Sequence, residues 1–148
     1  MTRGAHSGLA IVGDSGHRGV AIPMPRAPEM KIRWLPDAQA HDYPAARSYL
    51  GLLYADDEAD RLVRKLRSRR ITQFKSKDIF RASRLPLLGV DNFHVAKYRK
   101  KIAAGDRLSP LLLVRNKRIG RVVIADGYHR LCAVYKSDED ALIPCKIV

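Results

Sequence analysis

The sequence predicts an α+β fold, in which a small mixed sheet with short helices is preceded by a helical N-terminal extension. The last forty residues alternate apolar strand patterns with one short helical pattern. Residues 43–67 carry apolar side chains at helical spacing, whereas residues 1–30 are rich in Gly, Pro and small residues without sustained periodicity. We therefore expect a flexible tail over 1–30, a helical extension over 31–75 and an α+β domain over 76–148.

The extension is predicted to hold two helices after a short extended segment, "KIRWLPDAQ". Asp42 is expected to cap the first helix, over about 43–54, with Pro44 in its first turn. The inner face of that helix is predicted to contain Leu50, Leu53 and Tyr54. The second helix is expected to begin near Asp56, and an i, i+3, i+4, i+7 pattern supplies its apolar face: Ala59, Leu62, Val63 and Leu66.

Two further helices are predicted before the last forty residues. The first is a short turn around 77–84, which Pro86 and Gly89 end. The second follows Asp91 as N-cap, ends at Gly105 and presents an apolar stripe of Val95, Tyr98 and Ile102.

The last forty residues give the clearest pattern in the chain. "LSPLLLVRN" predicts a strand after a proline, "NKRIG" a turn, and "RVVIA" a second strand. Residues 129–136 predict a short helix, and "DALIPCKIV" predicts a third strand. The order strand, strand, helix, strand indicates a small α+β or α/β domain.

Positive charge is concentrated in one stretch of the chain. The net charge is +13, and residues 61–101 hold 14 Lys and Arg against two Asp, a net of +12. Such a stretch suits a polyanion such as DNA or RNA, although a solvated basic face that keeps the protein soluble would look the same. The candidate nucleic-acid-binding residues are Arg64, Lys65, Arg67, Arg69, Arg70, Lys97 and Lys100.

The composition also bears on compartment and on metal and thiol chemistry. No apolar run approaches the ~18 residues that a membrane span needs, and no secretory signal pattern is present, so we expect a cytoplasmic protein without a membrane partner. Cys132 and Cys145 form no CxxC pair, which gives no indication of a zinc cluster. We expect both to be buried, free thiols.

Asp126, Gly127, His129 and Arg130 lie where the second strand becomes a helix. The first turn of a helix has backbone N–H groups without intrahelical partners and attracts anions. Gly127 allows a tight turn and close approach of a phosphate, and Arg130 offers a planar fork for its oxygens. His129 can donate a hydrogen bond or move a proton near neutral pH. Asp126 is the candidate for a cap, a base or a Mg²⁺ ligand, yet an ordinary Asp-Gly turn would have the same sequence.

Residues 109–148 resemble the ParB/sulfiredoxin superfamily. The resemblance rests on a proline-led strand, a second strand ending in Asp-Gly, the x-His-Arg turn, a short alanine-containing helix and a final strand after a proline. These elements are Pro110 to Val114, Arg121 to Ala125, Gly127 to Arg130, Leu131 to Tyr135, and Pro144 to Val148. A weaker resemblance reaches back to about Ser76, and residues 1–75 show none.

The resemblance implies nucleotide binding, with the Gly127-Tyr128-His129-Arg130 turn on the phosphates. Activities in the superfamily include CTP hydrolysis, reduction of cysteine sulfinic acid and phosphorylation of serine, so the resemblance does not fix a reaction. Tyr128 stands where sulfiredoxins have the nucleophilic cysteine, and a phenol cannot replace a thiolate there. Sulfiredoxin activity is therefore not expected.

Two principal functions follow from these patterns. The first is a nucleotide-binding protein, an NTPase or phosphotransferase, in which a nucleoside tri- or diphosphate with Mg²⁺ binds at residues 127–130 and Asp126 and His129 are catalytic. The alternative is a non-catalytic DNA- or RNA-binding protein that uses the basic 61–101 segment. A regulatory partner that keeps the fold without the activity is a third possibility.

Overall fold

The N-terminal segment contains a two-stranded antiparallel ribbon. In this computed structural model the described residues are 31–148 and the strands Leu9–Val12 (β1) and Val20–Pro23 (β2). Leu9 pairs with Pro23 and Val12 with Val20. This ribbon lies within the predicted flexible tail of residues 1–30, and the remainder of that tail lies outside the described residues.

A four-stranded mixed sheet organises residues 31–148. Its spatial order is β4 (Thr72–Lys75), β8 (Leu142–Ile147), β6 (Leu111–Asn116) and β7 (Arg121–Asp126). β8 runs antiparallel to β4 and parallel to β6, and β6 runs antiparallel to β7. The chain is thus α+β with a mixed sheet, as its sequence predicts.

Five helices and a small second sheet complete this unit. The helices are α1 (Asp42–Leu53), α2 (Asp56–Ser68), α3 (Ser76–Ser83), α4 (Phe93–Ala103) and α5 (Tyr128–Ser137). Two short strands, β3 (Arg33–Trp34) and β5 (Arg107–Leu108), pair in parallel.

Strand β6 is buried on both faces because helices cover both sides of the sheet. Leu111 and Leu113 pack in a cluster with residues of α3, α4 and α5. Leu112 and Val114 point the other way and pack against α1 and α2. The uninterrupted apolar run "LLLV" has this cause, since a strand covered on one face only would alternate apolar and polar residues. The result is three layers, with the sheet in the middle.

The predicted boundary at residue 76 does not divide the structure. Residues 31–148 form one unit, in which α1 and α2 cover one face of the sheet and β4 is one of its edges. Strand β4 is not predicted from the sequence, because "TQFK" carries one large apolar residue, Phe74, and has only four residues. The helical extension is therefore one layer of the domain and not a segment that precedes it.

Most predicted helices and strands are confirmed, with differences at their ends. All four residues predicted for the inner face of α2 are buried. Leu53 is half exposed and does not belong to the inner face of α1. The N-cap of α4 is Asn92, whose side chain accepts hydrogen bonds from the backbone N–H groups of His94 and Val95, and not Asp91. Asp42 is the first residue of α1 and not its N-cap.

A buried lysine connects β8 to the α1 and α2 layer. Lys146 is 3% exposed, and its Nζ donates to Tyr43 Oη at 2.9 Å and to the carbonyl oxygen of Arg67 at 3.1 Å. The same Nζ lies 2.9 Å from Oδ1 of Asp37. Although burial opposes the charged form, the hydrogen bonds that Lys146 donates to Tyr43 and Asp37 hold its pKa above the ordinary value.

In the described residues, no helix combines the length and the apolar character needed to cross a membrane.

Candidate functional site

The junction between β7 and α5 requires glycine at position 127. Gly127 is the N-cap residue of α5 and has a φ of 109°, in the left-handed region. A Cβ at this position would lie 2.8 Å from Cγ of Leu111 and 2.9 Å from Nη2 of Arg130. The backbone therefore passes directly over the Arg130 guanidinium, and any larger residue would force the two apart.

The first turn of α5 has backbone donors without partners among the described residues. Leu131 N–H donates to the carbonyl oxygen of Gly127 and begins the helical series. The N–H groups of Tyr128, His129 and Arg130 precede that bond, and no side chain of the described residues caps them. Such groups, together with the helix dipole, favour an anion at this end of the helix.

Arg130 lies beneath the turn and is bound there. Its side chain is 7% exposed, and Nη2 donates to Oδ2 of Asp126 at 2.9 Å and to the carbonyl oxygen of Pro110 at 3.3 Å. Burial disfavours the charged guanidinium, but Asp126 outweighs it and holds the pKa of Arg130 above its ordinary value. Nε is buried and has no hydrogen-bond partner among the described residues. The guanidinium that was predicted to bind an anion thus already donates one hydrogen bond to Asp126.

Asp126 is a partly buried carboxylate with a second carboxylate nearby. Burial raises the pKa of Asp126, the charge of Arg130 opposes that shift, and the charge of Asp42 adds to it. Asp42 is buried and accepts hydrogen bonds from Gln39 N–H at 2.9 Å and from the Ser109 hydroxyl. The sequence does not indicate this neighbour, because Asp42 is 84 positions away in the chain and is predicted only as a helix cap.

His129 packs against a histidine from another helix. The ring centroids of His129 and His94 are 4.8 Å apart, and His94 is the second residue of α4. Burial, with a smaller contribution from the charge of His94, lowers the pKa of His129 below its ordinary value. His129 is therefore mainly neutral at pH 7 in the unliganded protein. The sequence analysis missed His94, since nothing in "DNFHVAKYRKK" indicates that this residue reaches α5.

Four rings follow one another at this place in the fold. Phe93 contacts His94 at 5.5 Å between centroids, and Tyr128 contacts His129 at the same distance. With the His94–His129 contact they form a row, which we call the aromatic row: Phe93, His94, His129 and Tyr128. The Tyr128 hydroxyl donates to the carbonyl oxygen of Pro86 at 2.5 Å, so the segment between α3 and α4 is attached to α5 beside the row.

The basic residues predicted to contact nucleic acid lie on two opposite sides of the sheet. The α2 group consists of exposed side chains: Arg64, Lys65, Arg67, Arg69 and Arg70. It belongs to the layer of α1 and α2, whereas Lys97 and Lys100 of α4 belong to the layer of α3, α4 and α5. The single basic stretch of the sequence is thus not a single surface, and only its α4 part adjoins the junction.

Neither a metal cluster nor a reactive thiol accompanies the junction. Within residues 31–148, no group of three or more His, Cys, Asp or Glu side chains is placed to hold a metal ion. Asp126 faces the Arg130 guanidinium, which would repel a cation bound to the same oxygen. Cys132 and Cys145 are buried and free, as predicted, and burial raises the pKa of Cys145 to about 12.

No protein-family model, curated protein or solved structure matches this chain. The resemblance to the ParB/sulfiredoxin superfamily therefore stays a prediction from residues 109–148.

Proposed function

We propose that the protein binds the phosphate group of a nucleotide at the first turn of α5. The observation that carries this proposal is the set of three backbone N–H groups, at Tyr128, His129 and Arg130, that have no partner in residues 31–148. Beside them lies His129, which can donate a hydrogen bond to a phosphate oxygen once it is protonated. Nucleoside di- and triphosphates are the ligands that the resemblance implies.

Arg130 supports the proposed site from beneath. Its charge lies directly under Gly127, so it favours an anion above the turn even though Nη2 is bound to Asp126. Asp126 holds that guanidinium in place through Oδ2. We propose that magnesium, when a nucleotide brings it, stays on the phosphates of the nucleotide.

Any hydrolysis or phosphoryl transfer at this site would depend on His129 as the proton-transfer group. Its lowered pKa makes it a proton acceptor near neutral pH. Asp126, the other predicted catalytic residue, is less suited to this role because Arg130 occupies Oδ2. Its role in the proposed mechanism is to position Arg130.

The test is a titration of the full chain with ATP, CTP, ADP and GTP in the presence of Mg²⁺, followed by backbone amide NMR. We expect the largest shifts at residues 127–131 and release of inorganic phosphate if the protein is an NTPase. His129→Ala should weaken binding, and Lys136→Ala, at the exposed far end of the same helix, should not. Arg130→Ala is a poor test, since it leaves Asp126 without its partner and destabilises the fold.

Unchanged amide shifts at 127–131 with every nucleotide at millimolar concentration would refute the proposal. If the His129→Ala variant shows the same amide shifts as the unmodified protein, phosphate binding at the turn is supported and a role of His129 in that binding is refuted.

A further inference from the structure

One face of α4 continues the aromatic row as a basic groove. Positions 93, 96, 97, 100, 101 and 104 follow the i, i+3, i+4, i+7 spacing of a single helix face. They line a shallow groove of about 420 Å³, with Asp106 at its far end. The groove residues are Phe93, Ala96, Lys97, Lys100, Lys101 and Ala104.

The charge of this groove is strongly one-sided. Three lysines face a single carboxylate, Asp106, and none of the three forms a salt bridge with a described residue. Lys101 lies over the ring of Tyr98, 5.4 Å from its centroid, which fixes the lysine stem against the helix. A line of lysine ammonium groups matches the repeated phosphates of a nucleic acid backbone.

The aromatic end of the groove favours unstacked bases. Phe93 is the first residue of α4 and is 76% exposed. The buried residues of the same helix, Val95 and Ile102, lie on a different face. An exposed ring by itself is ordinary, but this one joins the groove to the other three rings of the aromatic row. Stacking on such a ring is open to the bases of a single strand and closed to the paired bases of a duplex.

We infer that the α4 groove and the aromatic row together bind single-stranded nucleic acid. One phosphate occupies the first turn of α5, a base stacks on Phe93, and the following phosphates run along Lys97, Lys100 and Lys101. The inference rests on the proposed function for the first phosphate only. The α2 group, on the other side of the sheet, has no part in it.

The experiment measures binding of the full chain to a fluorescein-labelled dT 12-mer by anisotropy between 50 and 200 mM salt. The test variant is Lys97→Glu with Lys100→Glu. The matched control is Lys117→Glu with Arg118→Glu, which makes the same charge change in the exposed turn between β6 and β7. We expect the α4 variant to lose affinity at least about tenfold and to reduce the salt slope by about 1.4, and the control to stay within about twofold.

Phe93→Ala tests the aromatic contribution without opening a cavity, because the ring is exposed. We expect about a tenfold loss for the 12-mer with an unchanged salt slope, since a stacking contact and not a phosphate contact is removed. A 12-base-pair duplex of the same charge per strand should bind more weakly than the single strand.

The outcomes separate this inference from the proposed function. If nucleotides shift residues 127–131 but the 12-mer binds no better than a mononucleotide, the inference is wrong and the proposed function stands. If the double variant Arg64→Glu and Lys65→Glu loses 12-mer binding while the α4 variant still binds the 12-mer, the inference is wrong. The α2 group would then be the surface that binds nucleic acid. If polyglutamate displaces the labelled 12-mer as well as the unlabelled 12-mer does, the groove recognises negative charge alone, and the inference is again wrong. Loss of 12-mer binding in the α4 variant, without any nucleotide shift, would support the groove and refute the anion site.

Discussion

At the scale of single residues, the Gly-Tyr-His-Arg turn places Arg130 in the interior and His129 at the surface. Arg130 is buried under Gly127 and bound to Asp126, so it acts on a ligand through its charge. His129 is partly exposed and contacts His94, so it is the side chain of this turn best placed to touch a ligand. The two residues look equivalent in the sequence, where both occupy the first turn of a helix.

The lowered pKa of His129 gives a testable pH dependence. Between its folded pKa and the unfolded value of about 6.5, the unfolded chain binds more protons than the folded one, so the free energy of unfolding falls as the pH falls through that window. A bound dianion favours the protonated ring and reverses the effect. We expect the affinity for sulfate, which stays dianionic throughout, to rise as the pH is lowered from 7.5 to 5.5, as measured by chemical-shift titration.

His129→Gln is the control for this prediction. It keeps a hydrogen-bond donor at the position but cannot titrate, so the pH dependence of sulfate affinity should disappear. If sulfate affinity depends on pH equally in both proteins, the titrating group is not His129.

Residue chemistry near a turn was predictable, but contacts from distant parts of the chain were not. Asp126, Gly127 and His129 were singled out because they adjoin one another in the sequence. His94 and Asp42 reach the junction only because α4 and α1 begin beside it, and that depends on how the helices pack on the sheet. The burial of Arg130 could not be predicted from the sequence for the same reason.

At the scale of elements, the change from β7 to α5 depends on one backbone conformation. Strand β7 ends at Asp126, α5 begins at Tyr128, and Gly127 alone makes the turn between them. No residue with a Cβ adopts this conformation readily, and the space that a Cβ would need is filled. The geometry of the proposed site therefore follows from this glycine before any side chain contributes.

Gly127→Ala should lower the free energy of unfolding by more than the cost of a left-handed backbone alone. The φ of 109° costs about 1–2 kcal/mol, and contacts at 2.8 Å to Leu111 and 2.9 Å to Arg130 add to it. Gly120→Ala is the matched control, because Gly120 has a φ of 62° with no atom near its Cβ position. Urea denaturation should give a clearly larger loss for Gly127→Ala, and equal losses would show that the turn can relax.

Element types were largely predictable because apolar spacing reports burial directly. The four apolar residues of α2 predicted that helix with its inner face, and the run "LLLV" predicted strand β6. β4 was missed, since an edge strand of four residues has too short a pattern. The end of α4 was predicted from Gly105, whose φ of 78° fits the residue after a helix C-cap.

At the scale of the whole molecule, the sheet separates two layers that face different surroundings. One layer, α1 with α2, carries the α2 group of arginines and lysines. The other carries the α4 groove and the α5 terminus. The net charge of +12 over residues 61–101, which the linear sequence presents as one stretch, is therefore divided between the two sides of the sheet.

The two layers should unfold together, because they share the residues of one sheet. Leu112 of β6 is fully buried on the α1 and α2 side, and Leu112→Ala should cost about 3 kcal/mol. Trp34, the single tryptophan of the chain, packs on the opposite side. We expect the urea midpoint seen by tryptophan fluorescence to fall as far as that seen by circular dichroism.

Leu142→Ala is the matched control for this measurement, since Leu142 is 53% exposed and its truncation should have little effect. Two separate transitions in the Leu112→Ala variant would mean that the α1 and α2 layer unfolds independently of the other layer.

The position of β8 affects how the protein is made. Strand β8 is the last of the sheet along the chain, yet it lies between β4 and β6 and supplies hydrogen bonds to both. While the chain is being synthesised, β4 and β6 have no partner on their inner edges until residues 142–147 have left the ribosome. The nascent protein consequently carries two open strand edges from the synthesis of β6 until β8 emerges, and such edges promote aggregation and attract chaperones. The four-stranded sheet can therefore be completed only when β8 inserts between two strands that were synthesised before it.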